Sequence, residues 1–226
     1  ARLAETISGV DVGQVVRGVG ADWRINPAFL NAGCGYGGSC FPKDVKALIS
    51  FARTRGVEPQ LLEAVEEVNE QQAAHMVAIA RQEMSGTLKG KKIALLGLSF
   101  KPGTDDMREA PSIKIANHLY AHEAEIVAYD PKAIPNARDR FIRDTIKIDY
   151  ADSIEACLED AECCMVLTEW EEFKALSAEV FNRCMKRSFV IDGRRIFDQS
   201  IRESVDTYRA IGLGGRRPTP GATADS

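Results

Sequence analysis

The chain has 226 residues, of which 45% are hydrophobic and 27% are charged, which is typical of a soluble globular protein with one large or two small domains. Its formal net charge is −4 and it contains no basic run, so nucleic acid is not an expected partner. The sequence shows neither a secretory signal nor an apolar run near the roughly 20 residues that span a membrane. We therefore expect a cytoplasmic protein with no membrane partner.

The six cysteines show no spacing typical of a metal site or a disulfide framework. No two of them form a CxxC pair, and none of the three histidines lies near a cysteine cluster, so no metal site is expected. Reduced thiols in the cytoplasm explain this usage best. Cys163 and Cys164 are neighbours in a predicted strand, so their side chains should point to opposite faces of a sheet.

The first 88 residues show the periodicity of helices only. Asp11 can cap a short helix, and Pro42 suits the first turn of another that runs to about Arg55. A third helix is predicted over 59–84, and at 1.5 Å per residue it would be roughly 38 Å long. A helix of this length can connect two domains or two subunits, although an ordinary core helix fits the pattern equally well.

After a polar linker at 85–92, apolar runs typical of buried strands alternate with helical segments. This alternation predicts βαβ units, so the fold class is α/β, with a Rossmann-like, doubly wound parallel sheet in residues 89–213. The tail 214–226 is rich in Gly, Pro, Ser and Thr and is predicted to be flexible. The predicted strands are 92–97, 125–129, 163–167, 189–191 and 207–211, and the predicted helices of this part are 112–122, 153–159 and one within 171–184.

Residues 33–44 (GCGYGGSCFPKD) carry the chemistry of the helical part. Four glycines in six residues make a loop whose backbone can adopt positive φ and approach a ligand closely. Cys40 follows just before a helix, where unpaired N–H groups and the helix dipole favour a thiolate, and Lys43 adds a positive charge. These features favour Cys40 as a nucleophile over the usual reading of a lone cysteine as a small buried hydrophobe. A phosphate-binding P-loop is disfavoured because GxxxxGK[ST] is absent.

Three polar loops follow predicted strands, at 97–109, 130–131 and 192–195. Ligands of a doubly wound sheet bind beyond the carboxyl ends of its strands, so these loops form a candidate binding site. The first loop lacks GxGxxG and carries Lys101 and Arg108 instead, whose positive charges suit an anionic ligand. Taken singly, each of these residues could be an ordinary charged residue of a solvated loop. Asp130 ends its strand where NAD-binding folds place a ribose-binding acid, a weak parallel without the glycine motif.

The run GYGGSCFPKD closely resembles the active-site segment of the UDP-glucose 6-dehydrogenase family, within the UDP-glucose/GDP-mannose dehydrogenase superfamily. Residues 100–102 (FKP) with Asp106, Arg108 and Glu109 resemble its next motif, and residues 129–131 and 190–194 match as well. The resemblance extends over about 3–212. It implies a central dimerisation domain that ends in residues 1–88, followed by a nucleotide-sugar-binding domain in 89–213.

The resemblance implies oxidation of the C6 alcohol of a nucleotide-linked hexose to a carboxylate with two NAD⁺. Cys40 would attack the C6 aldehyde to give a thiohemiacetal and then a thioester, which water hydrolyses. Asp44 would help to position or activate this water. Lys43 and Arg108 match contacts to the NAD cofactor.

The resemblance also implies a nucleotide-sugar substrate, with UDP-glucose expected first. The glycine loop would lie against the sugar and diphosphate, and Arg24 would reach the nucleotide sugar across the interface of a homodimer. The residues expected to contact the substrate are Arg24, Phe29, Asn31, Tyr36, Gly37, Phe100, Lys101 and Arg194.

Members of this family begin with an NAD-binding domain that carries GxGxxG, and they have an upstream lysine and asparagine that stabilise the developing oxyanion. The chain lacks these parts and starts at Ala1 within a predicted helix. We therefore expect a C-terminal portion of the enzyme that has no dehydrogenase activity by itself.

Other functions remain open from the sequence. Relatives that act on GDP-mannose or UDP-N-acetylhexosamines share the motifs. A non-catalytic module that binds nucleotide sugars or dimerises would also fit the chain as it stands. A thiol-redox protein that uses Cys34 and Cys40 is disfavoured because the CxxC motif is missing.

Overall fold

The computed structural model describes residues 1–215 and changes near residue 90 from helices alone to alternating strands and helices. Asp11 caps α2 as predicted, because its carboxylate accepts a hydrogen bond from the Gly13 amide at 2.7 Å. Pro42 lies in the first turn of α3. The first part contains α1 (Arg2–Glu5), α2 (Val12–Gly20), a 3₁₀ turn (Pro27–Phe29), α3 (Phe41–Thr54) and α4 (Gln60–Glu83).

The second part is built on a parallel sheet of six strands in the order β3-β2-β1-β4-β5-β6. The order reverses between β1 and β4, so the sheet is doubly wound and the predicted α/β fold class is confirmed. The five strands predicted from apolar runs are all present. The strands are β1 (Lys92–Leu96), β2 (Glu125–Tyr129), β3 (Asp149–Tyr150), β4 (Cys163–Val166), β5 (Phe189–Asp192) and β6 (Thr207–Ala210).

The helices around the sheet differ from the prediction in three places. The single helix expected within 171–184 is two helices, and two further helices and the short strand β3 were not predicted. Helix α6 was not predicted because it has no clear apolar pattern: four of its ten residues are charged, and it buries only Ala137 and Phe141. These helices are α5 (Pro111–Ala121), α6 (Ile134–Arg143), α7 (Ile154–Leu158), α8 (Glu171–Lys174), α9 (Ala178–Cys184) and α10 (Gln199–Ser204).

Each face of the sheet packs against its own apolar core. Cys163 belongs to the core that includes α5 and α6, whereas Cys164 belongs to the core that includes α7, α9 and α10. The two neighbouring thiols therefore point to opposite faces, as the alternation of side chains along a strand requires.

The long helix α4 contributes one half to the sheet core. Met76 and Ala80 in its C-terminal half are fully buried there with residues of β1 and β5. In its N-terminal half, Leu61 is 78% exposed and Val68 is 54% exposed, although α3 packs beside them. The helix thus joins the glycine loop region to the sheet and leaves an apolar surface uncovered.

The end of the described chain returns to its beginning. Gly214 donates its amide hydrogen to the Val10 carbonyl at 2.8 Å, and Ser8 donates its hydroxyl to the Gly215 carbonyl at 3.0 Å. The first two residues of the segment predicted to be flexible are therefore hydrogen-bonded, and the rest of it, 216–226, lies outside the described residues. Within 1–215, no helix combines the length and the apolar character needed to cross a membrane.

Substitutions in the two halves of α4 should have different effects on stability. Met76→Ala should lower the free energy of unfolding by about 3 kcal/mol, because it leaves a cavity in the sheet core. Leu61→Ala, on the exposed half, should change it by less than about 0.5 kcal/mol at protein concentrations where the chain is monomeric. Urea unfolding followed by circular dichroism measures both; equal losses would contradict the packing described here.

Candidate active site

Loops that follow strands β1, β4 and β5 meet at one edge of the sheet, where the strand order reverses. The sequence analysis predicted a shared edge for the loops after β1, β2 and β5, and the parallel topology places the carboxyl ends of these three strands on one edge. The glycine loop, residues 33–38, lies on the same edge although it belongs to the helical part. The Cys34 amide donates to the Gly193 carbonyl after β5 at 2.9 Å, and the Gly38 amide donates to the Arg108 carbonyl in the loop after β1 at 2.8 Å.

Arg194 bridges the glycine loop and the sheet. Its Nε donates to the Leu167 carbonyl after β4 at 2.7 Å, and its Nη1 donates to the Gly35 carbonyl at 3.1 Å. The buried carboxylate of Asp192 accepts the backbone amide of Arg194 at 3.1 Å and thereby orders the turn that presents this arginine. One guanidinium group therefore fixes the position of the loop relative to the strand ends.

Asp130 supports the edge of the sheet and is not available to a ribose. Its side chain is buried, and one oxygen accepts hydrogen bonds from the amides of Leu98 and Ser99 at 2.7 and 3.0 Å and from the indole of Trp170 at 3.2 Å. The other oxygen accepts the amides of Lys132 and Ala133 at 2.9 and 2.8 Å. The parallel with the ribose-binding acid of NAD folds is therefore wrong.

Two glycines are required by close approach of the loop to the sheet. A Cβ on Gly37 would collide with the Glu109 carbonyl, and a Cβ on Gly38 would lie 2.7 Å from the Phe100 ring. Gly38 also has a φ of +87°, which side-chain-bearing residues rarely adopt. The loop can therefore rest on the edge only because these side chains are absent.

Helix α4 holds the glycine loop from the other side. The Asn69 carboxamide accepts the Tyr36 amide hydrogen at 2.8 Å and donates to the Tyr36 carbonyl at 3.2 Å. One turn further on, the Gln72 amide donates to the Gly33 carbonyl at 2.8 Å. These two residues were missed by the sequence analysis; the available signal was their polar character next to the buried stripe of α4 that includes Ala73 and Met76.

A cleft of about 1020 Å³ opens between the glycine loop, α4 and the strand ends. It brings together six of the eight residues predicted to contact the substrate. Tyr36 is fixed in its wall because its hydroxyl donates a hydrogen bond to Glu66, and burial together with this bond raises the tyrosine pKa. The six residues are Phe29, Asn31, Tyr36, Gly37, Phe100 and Arg194.

A second cleft, of about 790 Å³, lies beside Gly38 and Ser39. Both residues predicted to contact the cofactor, Lys43 and Arg108, line it. Positive side chains outnumber negative ones in its wall, which suits an anionic ligand. The positive residues are Lys43, Lys46, Arg108, Lys114, Arg140 and Arg143, and the negative ones are Asp106, Glu109 and Asp139.

Cys40 is exposed at the N-terminal end of α3, next to residues of both clefts. Its sulfur lies 3.7 Å from the Ser39 hydroxyl. A hydrogen bond to Asp44 raises the pKa of Lys43, one to Asp106 raises the pKa of Arg108, and the charge of a Cys40 thiolate adds to both effects. The two cations therefore lie near the Cys40 sulfur.

The other cysteine of the segment has a different environment. Cys34 is 1% exposed, and burial raises the pKa of its thiol, whereas Cys40 faces solvent. All six cysteines are free thiols. This arrangement favours Cys40 alone as the reactive residue.

Three residues predicted to belong to the site either lie outside the two clefts or form an ion pair with a neighbouring residue. Lys101 is exposed beside the Phe100 ring, 5.4 Å from its centre, and Arg24 is exposed and pairs with Asp22; neither is in the wall of the two clefts. Asp44, predicted to act on water, forms an ion pair with Lys43 at 2.6 Å.

A doubly wound sheet with such a cleft at its switch point is typical of nucleotide-binding α/β proteins. The sequence matches two models of one family: residues 1–71 match the UDP-glucose/GDP-mannose dehydrogenase family, central domain, and residues 94–199 match the UDP binding domain of the same family. The chain therefore belongs to the UDP-glucose/GDP-mannose dehydrogenase family.

Individual relatives agree with this assignment. UDP-glucose 6-dehydrogenase AglM of Haloferax volcanii is 46% identical over 88% of the chain and 44% of its own length, and TuaD of Bacillus subtilis is 40% identical over 97% and 47%. A UDP-glucose dehydrogenase structure from Pyrobaculum islandicum is 32% identical with a TM-score of 0.80, and covers 91% of this chain and 44% of that one. The chain spans a little under half the length of these relatives.

Gly37→Ala should prevent the glycine loop from docking on the sheet. The added methyl group would meet the Glu109 carbonyl, and we expect a loss of about 1–3 kcal/mol in the free energy of unfolding. Gly18→Ala is the matched control: nothing lies within 4 Å of its Cβ position in α2, so it should stabilise the chain by about 0.5–1 kcal/mol. Chemical denaturation tests the pair, and a neutral Gly37→Ala would show that the close approach is not needed.

Proposed function

We propose that this chain supplies the nucleotide-sugar site and the nucleophile of an NAD-dependent UDP-glucose 6-dehydrogenase. The observation that supports this most is the convergence of six predicted substrate residues on one cleft beside an exposed cysteine at a helix N-terminus. The relatives named UDP-glucose 6-dehydrogenases favour UDP-glucose as the substrate and UDP-glucuronate, used in polysaccharide biosynthesis, as the product.

Cys40 would act by covalent catalysis. Its thiolate adds to the C6 aldehyde to form a thiohemiacetal, which is oxidised to a thioester and then hydrolysed, with Asp44 positioning the water. Covalent capture keeps the aldehyde bound between the two oxidations. Cys40 lies at the N-terminal end of α3, and the cations Lys43 and Arg108 lie near its sulfur, where the aldehyde would have to approach.

The cationic cleft fits contact with an anionic dinucleotide but not its complete binding. Lys43 and Arg108 are the residues we assign to that contact. Residues 33, 35 and 38 spell GxGxxG, yet no strand precedes them, and no such motif follows β1, so the phosphate-binding geometry of a dinucleotide fold is missing here. When bound, NAD⁺ would supply the hydride acceptor. We therefore propose that the chain by itself has no dehydrogenase activity.

In the substrate cleft, Arg194, Tyr36, Gly37 and Phe100 would contact the nucleotide sugar, together with Phe29 and Asn31. Lys101, beside Phe100, could join them by a change of rotamer, since its side chain is exposed. GDP-mannose or a UDP-N-acetylhexosamine is the alternative substrate. A UDP-D-ManNAc dehydrogenase structure from Pyrococcus horikoshii, 28% identical with a TM-score of 0.73 over 90% of this chain and 44% of that one, keeps the second of these open.

The helical part would form a homodimer. Its surface exposes Trp23 to 92%, Phe29 to 84% and Leu61 to 78%, which is unusual for large apolar side chains that face water. Arg24 lies in the same segment with an exposed side chain, and it would have to exchange its ion pair with Asp22 for a contact to a partner's substrate. A non-catalytic dimerisation or sugar-binding module would also use this surface, but it would have no use for the exposed Cys40.

Removing the sulfur of Cys40 should abolish oxidation to the acid in the full-length enzyme. Cys40→Ala should lower the rate of UDP-glucuronate formation roughly 10³-fold or more, as for other covalent nucleophiles. Cys184→Ala is the control, because Cys184 is a half-buried thiol in α9, away from the site. Product is measured by chromatography, and an unchanged rate in Cys40→Ala would rule out the covalent mechanism.

A further inference from the structure

The glycine loop has a fixed shape although it contains no helix or strand. Side chains from elsewhere hold three of its carbonyl groups: Gln72 binds that of Gly33, Arg194 that of Gly35, and Asn69 that of Tyr36. Because four of the six residues are glycines, the loop would adopt many backbone conformations without these contacts. Its order must come from these external partners.

Asn69 makes the most specific of these contacts. Its carboxamide satisfies both the amide and the carbonyl of Tyr36, at 2.8 and 3.2 Å, in the way a neighbouring strand would. Gly35 has a φ of +116°, and a Cβ there would lie 3.0 Å from the Asn69 oxygen. The glycine and the asparagine are therefore fitted to each other. Both polar ends of the Asn69 side chain are committed to the loop.

Gln72 continues the same pattern one turn along α4. It is 9% exposed, donates to the Gly33 carbonyl at 2.8 Å, and accepts a hydrogen bond from Arg2 at 3.3 Å. Ala73 and Met76, which follow it on α4, are buried in the sheet core, so this stretch of the helix cannot shift without disturbing that core. The side-chain amides of Asn69 and Gln72 therefore extend from a part of α4 that the core holds in place.

We propose that Asn69, assisted by Gln72, is a positioning residue that holds the glycine loop in its ligand-binding shape before any ligand arrives. Tyr36 and Gly37 line the substrate cleft, so ordering their backbone in advance removes an entropy cost from binding. The role in sugar binding rests on the function proposed above, whereas the ordering of the loop does not.

Amide hydrogen exchange on the unliganded chain tests the ordering directly. In Asn69→Ala, the Tyr36 amide should exchange at least about tenfold faster, since its acceptor is lost. The amides of β4 should be unaffected, which separates local loosening from global unfolding. Gln71→Ala, on the exposed side of the same helix, is the matched control and should leave Tyr36 unchanged. Exchange at Tyr36 within about twofold of the unmodified chain would overturn the proposal.

Asn69→Asp adds a test that a merely structural role would not pass. The introduced carboxylate can accept the Tyr36 amide but repels the Tyr36 carbonyl; only when protonated can it donate to that carbonyl. The protection of the Cys34 and Gly38 amides, relative to the unmodified chain, should therefore be low at about pH 8 and recover only below about pH 4, where an aspartate side chain becomes protonated. The opposite trend, or no trend, counts against the proposal.

The other titratable and charged groups near residue 69 are the same in Asn69→Asp and in the unmodified chain, so their titration affects both proteins alike. They come from α4, the glycine loop, α3, the loop after β1, α5 and the loop after β5. They are Glu66, Glu70, Tyr36, Lys46, Glu109, Lys114 and Arg194.

Calorimetry with UDP-glucose then tests the link to binding. Asn69→Ala should weaken binding about tenfold, and Gln71→Ala should not change it. Faster exchange with an unchanged dissociation constant would refute the part of the proposal that concerns the ligand. If the unmodified chain bound no nucleotide sugar, the proposed function would fail, while exchange at Tyr36 would still decide whether Asn69 orders the loop.

Discussion

The site depends on the contact between Arg194 and two backbone carbonyls, one from the glycine loop and one from the end of β4. A parallel sheet collects the ends of its strands at one edge, but it cannot by itself recruit a loop from a helical segment. The guanidinium group makes that connection, because it donates in two directions from a fixed plane. Without it, the glycine loop would be held to the sheet edge mainly by two backbone hydrogen bonds, from Cys34 to Gly193 and from Gly38 to Arg108.

The docked glycine loop separates two environments. On one side the cleft contains aromatic and amide side chains with Arg194, which suits a nucleotide sugar; on the other, positive residues predominate. Cys40 follows the loop directly and lies at the N-terminus of α3, so the dipole of the helix acts at the point where the two clefts approach each other. The proposed chemistry needs this placement, since the aldehyde must meet both the thiolate and the hydride acceptor.

Sequence patterns predicted most of this arrangement, and the misses have physical reasons. Apolar runs revealed β1, β2, β4 and β5 because most residues of these strands are buried, and β6 was found although its residues alternate between buried and partly exposed. By contrast, β3 has only two residues, and four of the ten residues of α6 are charged. Motifs pointed to six of the residues that line the cleft beside α4. They could not reveal Asn69, which acts through the backbone of Tyr36, or the structural use of Asp130, because both depend on hydrogen bonds between distant parts of the chain.

If this chain alone forms a specific site for a UDP-sugar, a calorimetric titration should detect binding directly. We expect saturable binding of UDP-glucose, weaker binding of GDP-mannose and UDP-N-acetylglucosamine, and a higher dissociation constant for UDP-glucose in Arg194→Ala, which removes the bridge between loop and sheet. No heat of binding with UDP-glucose at concentrations up to about 1 mM would contradict this expectation.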